Sequence, residues 1–172
     1  MGTKLTSPLK ILGIDPGLNV TGYGVIEIHG KTPQLCEAGV IRSKARDSLE
    51  QRLAELHEGV TEVIELHRPK FLALEQLYSH YQRPRTAILM GHARGVICLA
   101  AAQAGIEVKS IEPTRVKKTM TGNGHAPKSQ IQQAVKLQLN LTEIPEPADV
   151  ADALAIAICG HHFSNSPLSK LF

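Results

Sequence analysis

The chain of 172 residues contains no tryptophan, and three tyrosines and three phenylalanines bring its aromatic share to only 3%. A core built without aromatics has to be aliphatic, and a hydrophobic content of 42% is enough to supply one. Cysteine is equally scarce. Cys36, Cys98 and Cys159 are scattered, odd in number and form no CxxC pair, which argues against a disulfide framework or a zinc site and for a reducing compartment. Long apolar runs are missing as well. The first ten residues carry no signal-peptide pattern, and the apolar stretch 88–104 is interrupted by His92 and Arg94, so neither a targeting segment nor a membrane span is expected. Internal repeats, low-complexity runs and interdomain linkers are also lacking. These absences lead to the expectation of a soluble, cytoplasmic protein with no membrane partner. It should have one domain over residues 1–162 and a C-terminal tail over 163–172.

What is present is an ordered alternation of patterns. Residues 10–15 read as a buried strand, broken by Pro16-Gly17, and residues 21–29 alternate as a second strand in a hairpin with the first. Residues 34–42 suit a third strand. Ser48 can cap a helix in which Leu49, Leu53, Leu56, Val60, Val63 and Ile64 recur at helical spacing, and Pro69 ends it. Residues 70–75 form a short apolar strand, parallel to the first because a helix separates them. A loop over 78–85, a small-residue helix over 86–104 and a strand over 106–111 follow. Pro113 then opens a short basic helix, a glycine-rich loop spans 121–127, a helix is expected over 128–139, and Pro145 and Pro147 lead into a last helix that runs to about His162. The pattern predicts an α/β domain with a five-stranded mixed sheet flanked by helices.

Four carboxylates stand out against this frame. Asp15 ends the first apolar strand and Glu75 ends the fourth, while Asp149 and Asp152 open the apolar run of the last helix. An acid at the edge of a buried segment is costly unless it is paired, hydrogen-bonded or bound to a cation. Asp149 and Asp152, three residues apart, share a helix face in a first turn where the dipole favours negative charge. Taken singly, each has an ordinary explanation: a turn at Asp15, an arginine partner for Glu75, N-terminal helix acids at 149 and 152. Taken together, at three apolar segment ends, they favour a site for two Mg²⁺ ions, which take oxygen ligands and can activate water against a phosphodiester.

Net charge is only +3, but setting those four of the 16 acids aside leaves 12 to face 19 basic residues, a balance that suits a polyanion. Arg115, Lys117 and Lys118 cluster after the fifth strand, and Lys128 follows the loop Gly122-Asn123-Gly124, where glycines let backbone N–H groups approach phosphate. Near the acids, Lys128 can also stabilise charge in a transition state. Tyr78 and Tyr81, with Arg83 and Arg85, follow Glu75, a combination suited to stacking on an unpaired base and gripping the backbone. Solvated lysines and a loop anchored by its tyrosines are the alternative explanation of the same residues. Gly91 and Gly95, four apart on a helix, allow close approach of another helix, either within the chain or from a second copy.

Five segments together carry a resemblance. They are GIDPGxxxTGYGVI over 13–26, LEQ over 74–76, GHARG over 91–95, GNGHAPKSQ over 122–130 and ADVADALAIAI over 148–158. In this order and spacing they resemble the RuvC family of bacterial Holliday-junction resolvases, within the ribonuclease-H-like nucleases. The resemblance spans residues 11 to about 158. It implies a ribonuclease-H-like fold and a homodimeric endonuclease that nicks two opposing strands of a four-way DNA junction symmetrically. It also implies Mg²⁺ (Mn²⁺ substituting), two per site, held by Asp15, Glu75, Asp149 and Asp152, and cooperation with a branch-migration motor of the RuvA and RuvB type. Lys117 and Lys128 fall on basic positions that the family uses near the scissile phosphate. Tyr78 stands where the family usually has phenylalanine, a change expected to touch sequence preference more than catalysis.

Three other readings share some of these features. An actin-like ATPase also begins with a strand, an aspartate and a glycine turn, but needs far more than 172 residues, and this chain has no P-loop lysine motif. A ribonuclease acting on RNA–DNA hybrids would use the same acids. A junction-binding protein without catalysis would have no need of them.

Overall fold

The computed structural model describes residues 8–77 and 83–164. Five strands, β1 (Leu9–Asp15), β2 (Val20–His29), β3 (Thr32–Arg42), β4 (Phe71–Glu75) and β5 (Glu107–Ile111), form one sheet in the order β3-β2-β1-β4-β5. The first three pair antiparallel as a meander, and β4 and β5 run parallel to β1. The helices α1 (Leu49–His67), α2 (Pro84–Gln103), α3 (Pro113–Thr121), α4 (Lys128–Gln138) and α5 (Ala148–Ser164) complete the chain.

Residues alternate across the sheet and divide the core into two layers. Leu12, Ile14, Val25, Leu72 and Leu74 face α1 and α2, whereas Ile11, Ile26, Phe71, Ala73 and Ile111 face α3, α4 and α5. By the same alternation Asp15 and Glu75 fall on the α5 face, at the carboxyl ends of the two central parallel strands. The β1–β4 register runs Ile11↔Phe71 through Ile14↔Leu74, so the next step sets the two acids side by side.

Helix α1 starts where expected: the Ser48 side chain and Gln51 form a reciprocal capping box. Strand β3 begins two residues earlier than expected. Its turn is only Gly30-Lys31, with Gly30 at φ +65°, and Pro33 is tolerated because β3 lies at the sheet edge. Helix α2 begins at Pro84, a residue suited to a first helical position, so Arg85 lies in its first turn and not in a loop. Helix α5 continues through Ser164, two residues past the expected end. Its last turn is tied down by Arg115 stacked on the Phe163 ring at 4.8 Å and by Lys109 donating to Ser164 Oγ at 2.9 Å. No described helix is long and apolar enough to cross a membrane.

Helix α5 is buried on nearly every side and lies directly on β1 and β2. Glycine makes this possible. A Cβ on Gly13 would meet the Ala153 carbonyl and lie 2.6 Å from Ala157 N, and one on Gly22 would strike the Asp149 backbone. Gly24 gives the same clearance to Leu154. In the β1–β2 ladder Gly13 faces Gly24 and Asp15 faces Gly22, so one smooth track carries the first turn of α5 to Asp15.

Candidate active site

That track brings three segments to one place. Asp15, Glu75 and Asp152 line a cleft of about 210 Å³ together with Lys117 and Lys128, over a floor of Val116, Ile131 and Ala155. Asp149 lies one turn before Asp152 on α5, against Gly22, and its charge reaches both Asp15 and Lys128. All four acids singled out in the sequence therefore meet at the carboxyl end of the central strands.

The electrostatics follow from burial and crowding. Asp15 is pushed up to about 8, first by loss of hydration and then by Glu75, Asp152 and Asp149, with Lys128 opposing. Glu75 is pushed up to about 7 by burial and by Asp152, against Lys117 and Lys128. Lys128 Nζ lies 2.7 Å from Asp152 Oδ2, and that hydrogen bond raises the ammonium above its ordinary range. Neither Asp15 nor Glu75 has an ion-pair partner among the described residues. Two crowded, mostly buried carboxylates without a cation, in an all-oxygen donor set, fit a hard divalent ion. As the side chains stand, no three acidic, histidine or cysteine groups among the described residues converge to ligating range.

The other expected contacts separate. Lys117 lines the cleft, Lys118 is exposed, and Arg115 turns to Phe163 over a neighbouring hollow lined by Gln76, Ser110 and Glu112. Arg83 and Arg85 are exposed at the start of α2, a helix with no acid in its first turn. Tyr78 and Tyr81 lie outside the described residues. Among the described residues, Gly91 and Gly95 have no close packing partner. A Cβ on Gly95 would meet nothing within 4 Å, and one on Gly91 would reach only Leu77 at 4.0 Å.

One contributor escapes a reading of the sequence. Arg94 donates from Nε to the Glu75 carbonyl at 3.2 Å and from Nη2 to Ser110 Oγ at 2.6 Å, bracing the end of β4 from α2. An arginine within an apolar helical run was the available signal. Similarly, Thr21, buried on β2, exchanges hydrogen bonds with Gly17 and fixes the turn that follows Asp15.

A mixed five-stranded sheet in this order, with acids at the ends of its two central strands and on the helix crossing them, defines a nuclease of the ribonuclease-H-like class. A family model described as crossover junction endodeoxyribonuclease RuvC matches residues 11–161. The RuvC of Rhodopirellula baltica is 66% identical over 177 residues, covering 99% of this chain and 98% of that protein. The RuvC of Pelotomaculum thermopropionicum is 44% identical, covering 91% and 95%. The solved structure of Thermus thermophilus RuvC matches with a TM-score of 0.84 at 33% identity, over 91% of this chain and 95% of that one. The same enzyme in complex with a Holliday-junction substrate gives 0.84 at 32%, over 91% and 94%. The chain belongs to the RuvC family of crossover junction endodeoxyribonucleases.

Proposed function

We propose that the chain resolves four-way (Holliday) DNA junctions by paired, symmetric nicks, with Asp15, Glu75, Asp149 and Asp152 as its metal ligands. The observation that carries this reading is the meeting of Asp15, Glu75 and Asp152, from three segments, beside Lys117 and Lys128 in one cleft, with Asp149 one helical turn away and electrostatically coupled to Asp15. The four acids would hold two Mg²⁺ ions, or Mn²⁺ in their place, which would supply an activated water and stabilisation of the leaving oxygen of the phosphodiester.

The protein's own groups do the rest. Asp15 and Glu75, fixed at the ends of adjacent strands, and Asp149 and Asp152, fixed on a buried helix, hold the ligand set rigid. Lys128 and Lys117 face the cleft and neutralise the scissile phosphate. The apolar floor of Val116, Ile131 and Ala155 keeps the acids partly out of water, which strengthens each of these interactions. Cleavage leaves a 5′-phosphate and a 3′-hydroxyl, ends that a ligase can seal.

Around the site, Arg83 and Arg85 add their charge to the helix N-terminus of α2, a combination that suits a phosphate. Arg115 and Lys118 extend the positive surface along α3, and Tyr78 stacks on a base near the junction centre. A four-way junction has two-fold symmetry, and a C2 dimer presents two sites to it at once. The face of α2 suits a second copy: Leu53, Ile88, Val96 and Leu99 form an apolar groove, Ile88 is 60% and Leu99 51% exposed, and Gly91 and Gly95 leave room for close approach. In the cell the dimer acts in the cytoplasm with a branch-migration motor of the RuvA and RuvB type.

The test compares a mobile four-way junction, a linear duplex and an RNA–DNA hybrid in Mg²⁺, with Asp15→Asn alongside. Paired nicks in the junction alone, lost in the variant while binding persists, support the reading. Cleavage of the hybrid would move the activity to a ribonuclease, and binding without cleavage in either metal would leave a junction-binding protein.

A further inference from the structure

The cleft carries a cation of its own. Lys128 is the first residue of α4, whose Ile131 and Val135 are locked in the core, so its backbone is fixed. Its side chain is long and 56% exposed, free to change direction. As it stands, the ammonium lies 2.7 Å from Asp152 Oδ2, and its field reaches Asp15, Asp149 and Glu75. The oxygen it holds lies in the same cleft as the other acids, yet no three acids among the described residues converge to ligating range. One oxygen of Asp152 is thus engaged by the lysine.

We propose that Lys128 is a latch on the metal site. It occupies Asp152 while the protein is free of DNA and metal, and it must release that carboxylate before a divalent ion can be fully bound. The freed ammonium then turns to the phosphate. This rests on the reading of the four acids as the ligand set.

Two consequences follow. In the absence of DNA the latch weakens metal binding, which holds the hydrolytic centre incomplete until substrate arrives. A phosphate that draws Lys128 off Asp152 raises metal affinity, and by linkage a bound ion raises affinity for phosphate at that point. A pair with one exposed member is weak, so the brake amounts to about two- to five-fold in metal affinity. Lys117 lines the same cleft but forms no ion pair among the described residues, and so separates a specific pair from diffuse positive charge.

The experiment is a titration of the DNA-free full chain with Mn²⁺, read by the EPR signal of the free ion. Lys128→Met should bind Mn²⁺ about two- to five-fold more tightly than wild type, Lys117→Met should show a smaller gain, and Lys128→Arg should stay near wild type. With a four-way junction made uncleavable at its centre, the gap between wild type and Lys128→Met should close, because phosphate has already taken the lysine. Unchanged or weaker binding by Lys128→Met, or an equal gain in Lys117→Met, would overturn the latch. Wild type binding Mn²⁺ no better than Asp15→Asn would instead remove the ligand set itself, and the latch with it.

Discussion

Replacing Asp15 by asparagine should stabilise the metal-free protein near neutral pH, and the gain should fade in acid. The ordinary carboxyl value of 3.8 is raised to about 8 at this position. Between those values the folded chain holds a proton that the unfolded chain has lost, so this group makes stability fall as pH rises across the window. At about 1.4 kcal/mol for each pH unit, the penalty is about 4 kcal/mol at pH 7 and about 1 kcal/mol at pH 4.5. Asparagine does not titrate. It carries a solvation penalty of its own, about 1–3 kcal/mol if its amide lacks partners, but that penalty does not vary with pH. The decisive quantity is therefore the difference: the advantage of Asp15→Asn over wild type should shrink by about 3 kcal/mol from pH 7 to 4.5. For a chain of this size that corresponds to about 6–12 °C in relative Tm. Thermal unfolding in EDTA at both pH values reads it directly. Saturating Mg²⁺ at pH 7 should reverse the order, because only the wild type then gains binding free energy. Parallel Tm–pH curves for the two proteins in EDTA would refute the assignment of a buried, crowded carboxyl to Asp15.

Gly13→Ala should cost about 3 kcal/mol or more in urea unfolding, since its Cβ meets backbone atoms of α5 that have nowhere to go; a loss under about 1 kcal/mol would mean that α5 can shift. Leu99→Glu should leave the fold intact and yield a monomer by analytical ultracentrifugation, with paired nicking of the junction lost; an unchanged dimer would place the interface elsewhere. Arg94→Lys keeps the charge but loses the guanidinium fork that spans Glu75 and Ser110. It should lower kcat several-fold while stability changes by no more than about 2 kcal/mol, and an unchanged kcat would mean that Glu75 needs no brace.

Much of this was readable from local patterns. The five strands, the capped helix at Ser48 and the position of each acid at the end of an apolar segment all follow from periodicity and breakers. Their meeting in space follows from the parallel pairing that the intervening helix imposes on β1 and β4. What stayed hidden depends on tertiary contact. The residues of α5 are apolar all round, so no pattern marks which side lies on the sheet; the glycines of β1 and β2 decide that. The pairing of Lys128 with Asp152 joins residues far apart in sequence and has no local signature. The start of β3 at Thr32 was masked by Pro33, whose usual meaning as a strand breaker does not hold at a sheet edge. Gly91 and Gly95 left two explanations open, and the space over them among the described residues favours a second copy.

The burial of α5 bears on how the enzyme fails. A helix enclosed by the sheet on one side and by α3 and α4 on the other cannot open by local fluctuation; exposing it means dismantling both of its supports. Asp149 and Asp152 ride on that helix, so there is no partly melted form in which the fold survives while these two acids have drifted. Amide hydrogens in the middle of α5 should exchange only through global unfolding. On heating, loss of the arrangement of the four acids and loss of the fold should then be one event.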